Sequence, residues 1–100
     1  MRITFNISGL EGSAHLERYS TRVVQELLRG FGERVSNVEV RLFPLETKKR
    51  ETIVCMLMIE GPKQFRRTFD ARANHPHVAM EHAAQSAWEF LRSTEWCGAA

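Results

Sequence analysis

Four short stretches predict four β-strands. In three of them apolar and polar residues alternate with the period of two that is typical of a half-buried strand, and the third stretch along the chain is apolar on both faces. The stretches cover residues 2–8, 38–42, 52–60 and 65–70. Pro44 is predicted to end the second strand, since proline cannot donate to a β-ladder, and the polar stretch 45–51 to form a loop. Arg67 interrupts the alternation of the fourth strand. A β-bulge at Arg67 would restore the pattern.

Apolar residues recur at helical spacing in two longer segments, which predicts two amphipathic helices. The first is expected over residues 14–29, with Ser13 as its N-cap. The second is expected to end near Ser93, with Asn74 as its cap and Pro76 in its first turn. The apolar stripe of the first helix consists of Leu16, Val23, Val24, Leu27 and Phe31, with Tyr19 at its edge. The second stripe consists of Met80, Ala83, Ala84, Ala87 and Leu91, flanked by Trp88.

The predicted order β-α-β-β-β-α indicates an α+β fold with a four-stranded mixed sheet. The first two strands should be parallel, with a right-handed crossover through the first helix. The later strands should form antiparallel hairpins, and both helices should cover one sheet face. The chain has 100 residues, a common size for one domain. We therefore expect one domain over 1–93 and a C-terminal tail over 94–100.

Composition narrows the class of protein. The net charge of +2 and the pI near 8.8 permit a polyanionic partner without requiring one. The N-terminal stretch lacks the apolar core of a secretory signal, and no apolar run approaches the roughly 18 residues that span a bilayer. Cys55 and Cys97 have no metal-binding or redox spacing. We therefore expect a soluble, cytoplasmic protein without a membrane partner.

Basic residues of the first helix form the main candidate binding surface. Arg18, Arg22 and Arg29 fall within roughly 60° of one another, together with Gln25 and opposite the apolar stripe. Each guanidinium offers a planar fork of donors that matches phosphate oxygens. A solvated helix face would give the same pattern without any ligand. The other candidate RNA-binding residues are Lys48, Lys49, Arg50 and Arg66.

The sheet face away from the helices is a second candidate contact surface. The apolar residues expected there are Phe43, Val54, Met56 and Met58. Exposed apolar patches mark interaction sites, so this face could support a homodimer. The alternative is that long side chains such as Arg41 and Arg66 lie across these residues and cover them.

No pattern in the sequence indicates catalysis. His75, His77 and His82 follow one another near a predicted helix start, but His77 and His82 are poorly placed to share one helix face as zinc ligands. A capping or solvated role is favoured for them, and no metal site is predicted. No nucleophile lies in a G-x-S-x-G or similar motif. We therefore predict a protein that is not an enzyme and has no cofactor or small-molecule substrate.

The stretch 31–42, FGERVSNVEVRL, resembles the hibernation-promoting factor and ribosome-associated inhibitor family, also called the sigma-54 modulation family. The similarity extends to residues 3–9, 16–19 and 78–81, and in coarse form covers about 1–93. The resemblance implies a fold like that of double-stranded RNA-binding domains. It also implies binding to the small ribosomal subunit and its RNA, in the messenger and transfer RNA channel. Such a factor inhibits translation by occupancy during ribosome hibernation under stress. Arg18, Arg22 and Arg29 match the family's basic helix residues most nearly.

The last helix departs from the family pattern. Members of the family usually carry a run rich in Lys and Arg at its end, whereas residues 87–96 read AWEFLRSTEW, with one base and two acids. An alternative hypothesis therefore stays open. The chain could be a protein-interaction or homodimerisation module that keeps the fold and has lost RNA binding.

Overall fold

Four strands form one sheet in the order β1-β2-β3-β4. The computed structural model describes residues 2–31, 34–46 and 51–93. The strands are β1 (Arg2–Ile7), β2 (Asn37–Glu46), β3 (Glu51–Glu60) and β4 (Arg66–Ala73). The helices are α1 (Ser13–Leu28) and α2 (Pro76–Ser93), and a single 3₁₀ turn, Arg29–Phe31, follows α1. β1 and β2 pair in parallel, and the other two pairs are antiparallel. The predicted α+β fold is confirmed.

Both helices pack on the sheet face that carries the apolar side chains of the two central strands. Those side chains are fully or almost fully buried: Val38, Val40, Leu42, Ile53, Cys55, Leu57 and Ile59. α2 contributes several alanines as well as Met80 and Leu91, so it can lie close to the sheet. The Sγ of Cys55 lies 3.6 Å from the Sδ of Met80. Burial raises the pKa of the Cys55 thiol to about 12, which keeps this cysteine protonated and unreactive.

The start of α1 differs from the prediction. Ser13 is the first helical residue and not the N-cap; the cap position is Gly12, with φ of 72° and no side-chain cap hydrogen bond. The N–H of Leu16 donates to the carbonyl of Gly12 at 3.0 Å. Gly12 occupies this position because a left-handed backbone costs glycine no side-chain clash.

The buried stripe of α1 is rotated relative to the predicted one. The buried residues are Leu16, Ser20, Val24 and Leu28, each four positions after the last. Val23 and Leu27 are only half-buried and lie beside this row. The predicted stripe omits Ser20 because serine is polar, and it omits Leu28 because it runs through the neighbouring Leu27.

α2 begins at Pro76, so the proline lies in the first turn, as expected, and occupies its first position. The residue before it is His75, whose carbonyl accepts the N–H of Ala79 at 3.1 Å. Asn74 lies one position too early to be the cap that was predicted. Neither helix in the described part of the chain is long and apolar enough to cross a membrane.

Pro44 does not end β2, which continues to Glu46, with Pro44 paired to Ile53 of β3. The physical reason lies in which edge the proline nitrogen faces. The carbonyl of Leu42 accepts the N–H of Ser8 on the β1 side, and Pro44 is two residues further, so its nitrogen faces the same edge. β1 has already ended at Ile7. A missing N–H therefore costs the ladder nothing at this position.

β4 contains no bulge in its paired region. Its register against β3 runs without interruption from Arg66 opposite Glu60 to Ala73 opposite Ile53. Arg67 therefore points to the helix-covered face, where its guanidinium carbon lies 4.1 Å from the centroid of the Phe90 ring of α2. A cation–π contact, and not a bulge, accommodates the arginine.

Candidate nucleic-acid interface

The predicted arginine row lies on the solvent side of α1, with Arg29 directly after the helix, at the start of the 3₁₀ turn. Arg18, Arg22 and Arg29 are all exposed, as is Gln25 between them. The buried residues of the helix occupy the opposite side, since their i, i+4 row is centred about 180° away at helical spacing. A rise of 1.5 Å per residue places the three guanidiniums along about 16 Å of the helix axis. This surface, Arg18, Arg22 and Arg29, is called the α1 arginine row below.

The arginine row is not neutralised by acids in the described part of the molecule. Among the side chains that the structure describes, no carboxylate oxygen lies within 4.0 Å of these three guanidiniums. The ion pair found there joins Arg41 Nε to Glu39 Oε1 at 3.0 Å, on the open sheet face. Free, exposed guanidiniums keep their hydrogen-bond donors available for phosphate oxygens.

The other predicted basic residues do not extend this row. Lys48, Lys49 and Arg50 lie outside the described residues. Arg66 is exposed on the open sheet face, where its Nε donates to the Sδ of Met58 at 3.0 Å. Arg66 is therefore separated from α1 by the thickness of the sheet.

The exposed face of α2 carries mixed charge. It presents Glu81, His82, Gln85, Glu89 and Arg92. The amide Nε2 of Gln85 donates to Oε1 of Glu89 at 3.3 Å. The guanidinium carbon of Arg92 lies 4.7 Å from the centroid of the Trp88 ring. The acids alternate with neutral and basic groups, so this face has no concentrated positive charge. Between the two described helices, the concentrated basic surface therefore belongs to α1.

The N-terminal halves of the two helices meet in a polar and aromatic cluster that sequence reasoning missed. His15 Nε2 lies 3.3 Å from His77 Nε2, and the Tyr19 ring packs edge-on against His77 with centroids 4.5 Å apart. The Tyr19 hydroxyl donates to Glu81 Oε1. The only hint in the sequence is that each helix carries two of these residues at i, i+4 spacing beside its apolar stripe.

This environment changes the acidity of the tyrosine. Burial, the hydrogen bond to Glu81 and the negative charge of that carboxylate together raise the pKa of Tyr19 to about 12. All three effects disfavour the phenolate, because it would be less solvated and would repel the carboxylate. Tyr19 therefore stays a hydrogen-bond donor that ties α1 to α2.

The histidines considered from sequence spacing do not converge. His75 and His82 are exposed, whereas His77 turns toward α1 and is half-buried. Across the residues that the structure describes, no group of three or more His, Cys, Asp or Glu side chains is arranged to hold a metal ion.

The open sheet face is covered more than its apolar sequence suggests. Val54 is only 6% exposed, and Phe43, Met56 and Met58 are half-buried. A shallow depression of about 190 Å³ lies on this face. It is lined by Glu39, Arg41, Met56, Met58, Arg66 and Thr68. The Arg66 contact with Met58 is an instance of the alternative, in which a long side chain lies across the apolar residues.

The fold and the exposed arginine row define a small α+β domain with a basic helix face. Its structure is similar to that of a ribosomal subunit interface protein from Coxiella burnetii, with a TM-score of 0.75, 13% identity and coverage of 92% of this chain and 94% of that one. It is also similar to the N-terminal domain of Thermus thermophilus Protein Y, with a TM-score of 0.73, 15% identity and coverage of 92% and 97%. At these identities the likeness shows a shared fold. No family model and no curated protein matches the sequence.

Proposed function

We propose that this protein is a cytoplasmic ribosome-associated factor of the hibernation-promoting and ribosome-associated inhibitor family. The observation that carries the proposal is the α1 arginine row, exposed and unpaired among the described residues. The row belongs to a domain whose fold is shared with a ribosomal subunit interface protein. We further propose the small ribosomal subunit as the partner, with ribosomal RNA as the ligand of the row.

The proposed mechanism is steric occupancy. Arginine forks on α1 contact backbone phosphates and release their counterions, which supplies affinity without reading base sequence. The rigid helix–sheet body then occupies space that messenger or transfer RNA would need, so translation stops without any bond being made or broken. This action requires no cofactor and no catalytic group.

The mixed charge of α2 sets a limit on this interaction. Of the two helices that the structure describes, only α1 presents a concentrated row of bases, so we expect fewer phosphate contacts than two basic helices would make. Binding should accordingly be weaker, and fall less steeply with salt, than binding through two basic helices, and it should be easiest to detect at low ionic strength.

Co-sedimentation of the full chain with purified small subunits, at low and high salt, tests the proposal. We expect binding at low salt, weakened at least several-fold by Arg22→Ala. Arg72→Ala is the matched control, because it removes one positive charge from an exposed position on the opposite sheet face. Absence of any bound fraction at low salt would remove the proposal. Equal losses in the two variants would show that net charge, and not the α1 row, is responsible.

A second candidate function is homodimerisation through the open sheet face. The depression between Met56 and Met58 favours it, since a facing copy could bury both side chains. Arg66, which lies across Met58, and the Arg41–Glu39 ion pair oppose dimerisation, because they would have to move or become desolvated. Such a protein would keep the fold and act through a protein partner and not through RNA.

Mass measurement from micromolar to millimolar protein separates this candidate from the first. A dimer through the sheet face should be disrupted by Met56→Lys, which leaves the α1 row unchanged. A monomer at all concentrations would exclude the homodimer, whereas loss of ribosome binding in Met56→Lys would argue against α1 as the contact surface.

A further inference from the structure

We infer that His15 and His77 form a two-histidine site for a divalent transition metal ion, and that this site joins α1 to α2. The two Nε2 atoms lie 3.3 Å apart. Zinc–nitrogen bonds of 2.0–2.1 Å in tetrahedral geometry place two ligand nitrogens roughly 3.3–3.4 Å from each other. The pair therefore already has the separation that one shared metal ion requires.

The surroundings of the pair fix one ligand and leave the other accessible. His77 is half-buried, and its ring packs edge-on against Tyr19. Tyr19 in turn donates to Glu81, four residues after His77 on α2. This chain of contacts limits rotation of the His77 imidazole, as outer partners of metal ligands do. His15 is exposed, so an ion can reach the pair from solvent.

The chemistry of the site follows from its ligand set. Imidazole nitrogen suits Zn²⁺, Ni²⁺ and Cu²⁺, whereas Mg²⁺ and Ca²⁺ prefer oxygen. No third His, Cys, Asp or Glu ligand completes the group among the described residues, so water would occupy the remaining positions. The Glu81 carboxylate, close by through Tyr19, favours a cation electrostatically. Because the ligands are 62 positions apart in the chain, no sequence spacing could reveal them.

Calorimetric titration of the full chain with ZnCl₂ alone, repeated with NiCl₂ and MgCl₂, tests the inference. We expect one Zn²⁺ or Ni²⁺ per chain and no Mg²⁺. His15→Ala and His77→Ala should each weaken binding at least tenfold. His82→Ala is the matched control, because His82 is an exposed histidine on the same helix and away from the pair. His15 is exposed, so its alanine variant should fold even if the His77 variant does not.

Thermal unfolding gives an independent readout. At ten times its dissociation constant, a metal that binds only the folded state raises the folding equilibrium constant 11-fold, which raises Tm by about 6–11 °C. The wild type and His82→Ala should show this rise, and His15→Ala should not. Absence of saturable binding below millimolar zinc would overturn the inference. Binding that survives both His15→Ala and His77→Ala, or that is lost in His82→Ala, would overturn it equally. None of these results depends on ribosome binding.

Discussion

The guanidinium of Arg67 covers the ring of Phe90, with 4.1 Å between the guanidinium carbon and the ring centroid. The same guanidinium lies 5.7 Å from the ring centroid of Phe69 on its own strand. The ring centroids of Phe69 and Phe90 are 5.6 Å apart, so Arg67 packs against the outer edge of an aromatic cluster. An edge strand thereby shields its apolar contact with α2 by means of a charged side chain, whose aliphatic stem and planar head both pack.

Arg67→Ala should lower the free energy of unfolding by about 0.5–2 kcal/mol, because it removes the cation–π contact and uncovers the ring beneath it. Urea denaturation measures the change. Arg72→Ala is the control: it removes the same charge from the same strand, and no aromatic ring of the described residues lies beneath Arg72. A loss of equal size in both variants would contradict the aromatic explanation.

The order of elements and the sheet faces could be predicted from sequence because they depend on local periodicity. Val38, Val40 and Leu42 alternate with polar residues, and that alternation alone places them on the buried face. Pro44 and Arg67 were misread because their consequences depend on partners far along the chain. Pro44 can lie within β2 because β1 ends before it would pair with the proline. Arg67 can face the helices because the Phe90 ring of α2 lies beneath its guanidinium.

The candidate site likewise has one part that the sequence predicts and one part that it does not. The α1 arginine row was predicted because helical spacing places two positions of α1 and the first residue of the turn after it on one exposed side. The contact between His15 and His77 was not predicted, because it depends on how α1 and α2 are placed relative to each other. Alanine-rich packing of α2 on the sheet fixes that placement, and periodicity within one helix carries no information about it.

Removal of one arginine from the α1 row should change the salt dependence of the proposed ribosome binding. Each phosphate contact contributes about 0.7–0.9 to the slope of log K against log salt, so Arg22→Ala should flatten the slope by roughly one. Binding isotherms at several salt concentrations give this slope. Arg18→Ala and Arg29→Ala should each have a similar effect.

Stability distinguishes this loss of binding from misfolding. All three positions are exposed, so the free energy of unfolding of each alanine variant should lie within about 0.5 kcal/mol of the wild-type value. An unchanged slope in all three variants would exclude the row as the phosphate-contacting surface.

Tyr19 should titrate at about 12, above its ordinary value of 10.0. It is the only tyrosine in the chain, so the tyrosinate absorbance reports this residue directly. Glu81→Gln should lower the pKa, because it removes the negative charge beside the phenol while burial remains. A wild-type titration at the ordinary value would contradict the contact between Tyr19 and Glu81.

The same shift predicts how stability depends on pH. The folded protein holds the Tyr19 proton more tightly than the unfolded chain, so this contribution to stability is complete below pH 10.0 and is lost as pH rises toward about 12. Chemical denaturation at intervals across this window measures the decline. Tyr19→Phe should remove the part of the decline due to this group, while any loss from other groups remains.

Gly9 and Gly12 offer a matched comparison of backbone strain with and without a steric neighbour. Their φ angles are nearly equal, 69° and 72°. A Cβ on Gly9 would lie 2.9 Å from Cδ of Pro44, whereas a Cβ on Gly12 would meet nothing within 4 Å. Gly12→Ala should therefore cost only the left-handed backbone penalty of about 1–2 kcal/mol. Gly9→Ala should cost about 2–4 kcal/mol, because the proline ring, held in β2, cannot move aside without disturbing the strand. Urea denaturation of both variants measures the difference, and equal costs would show that Pro44 does not constrain the end of β1.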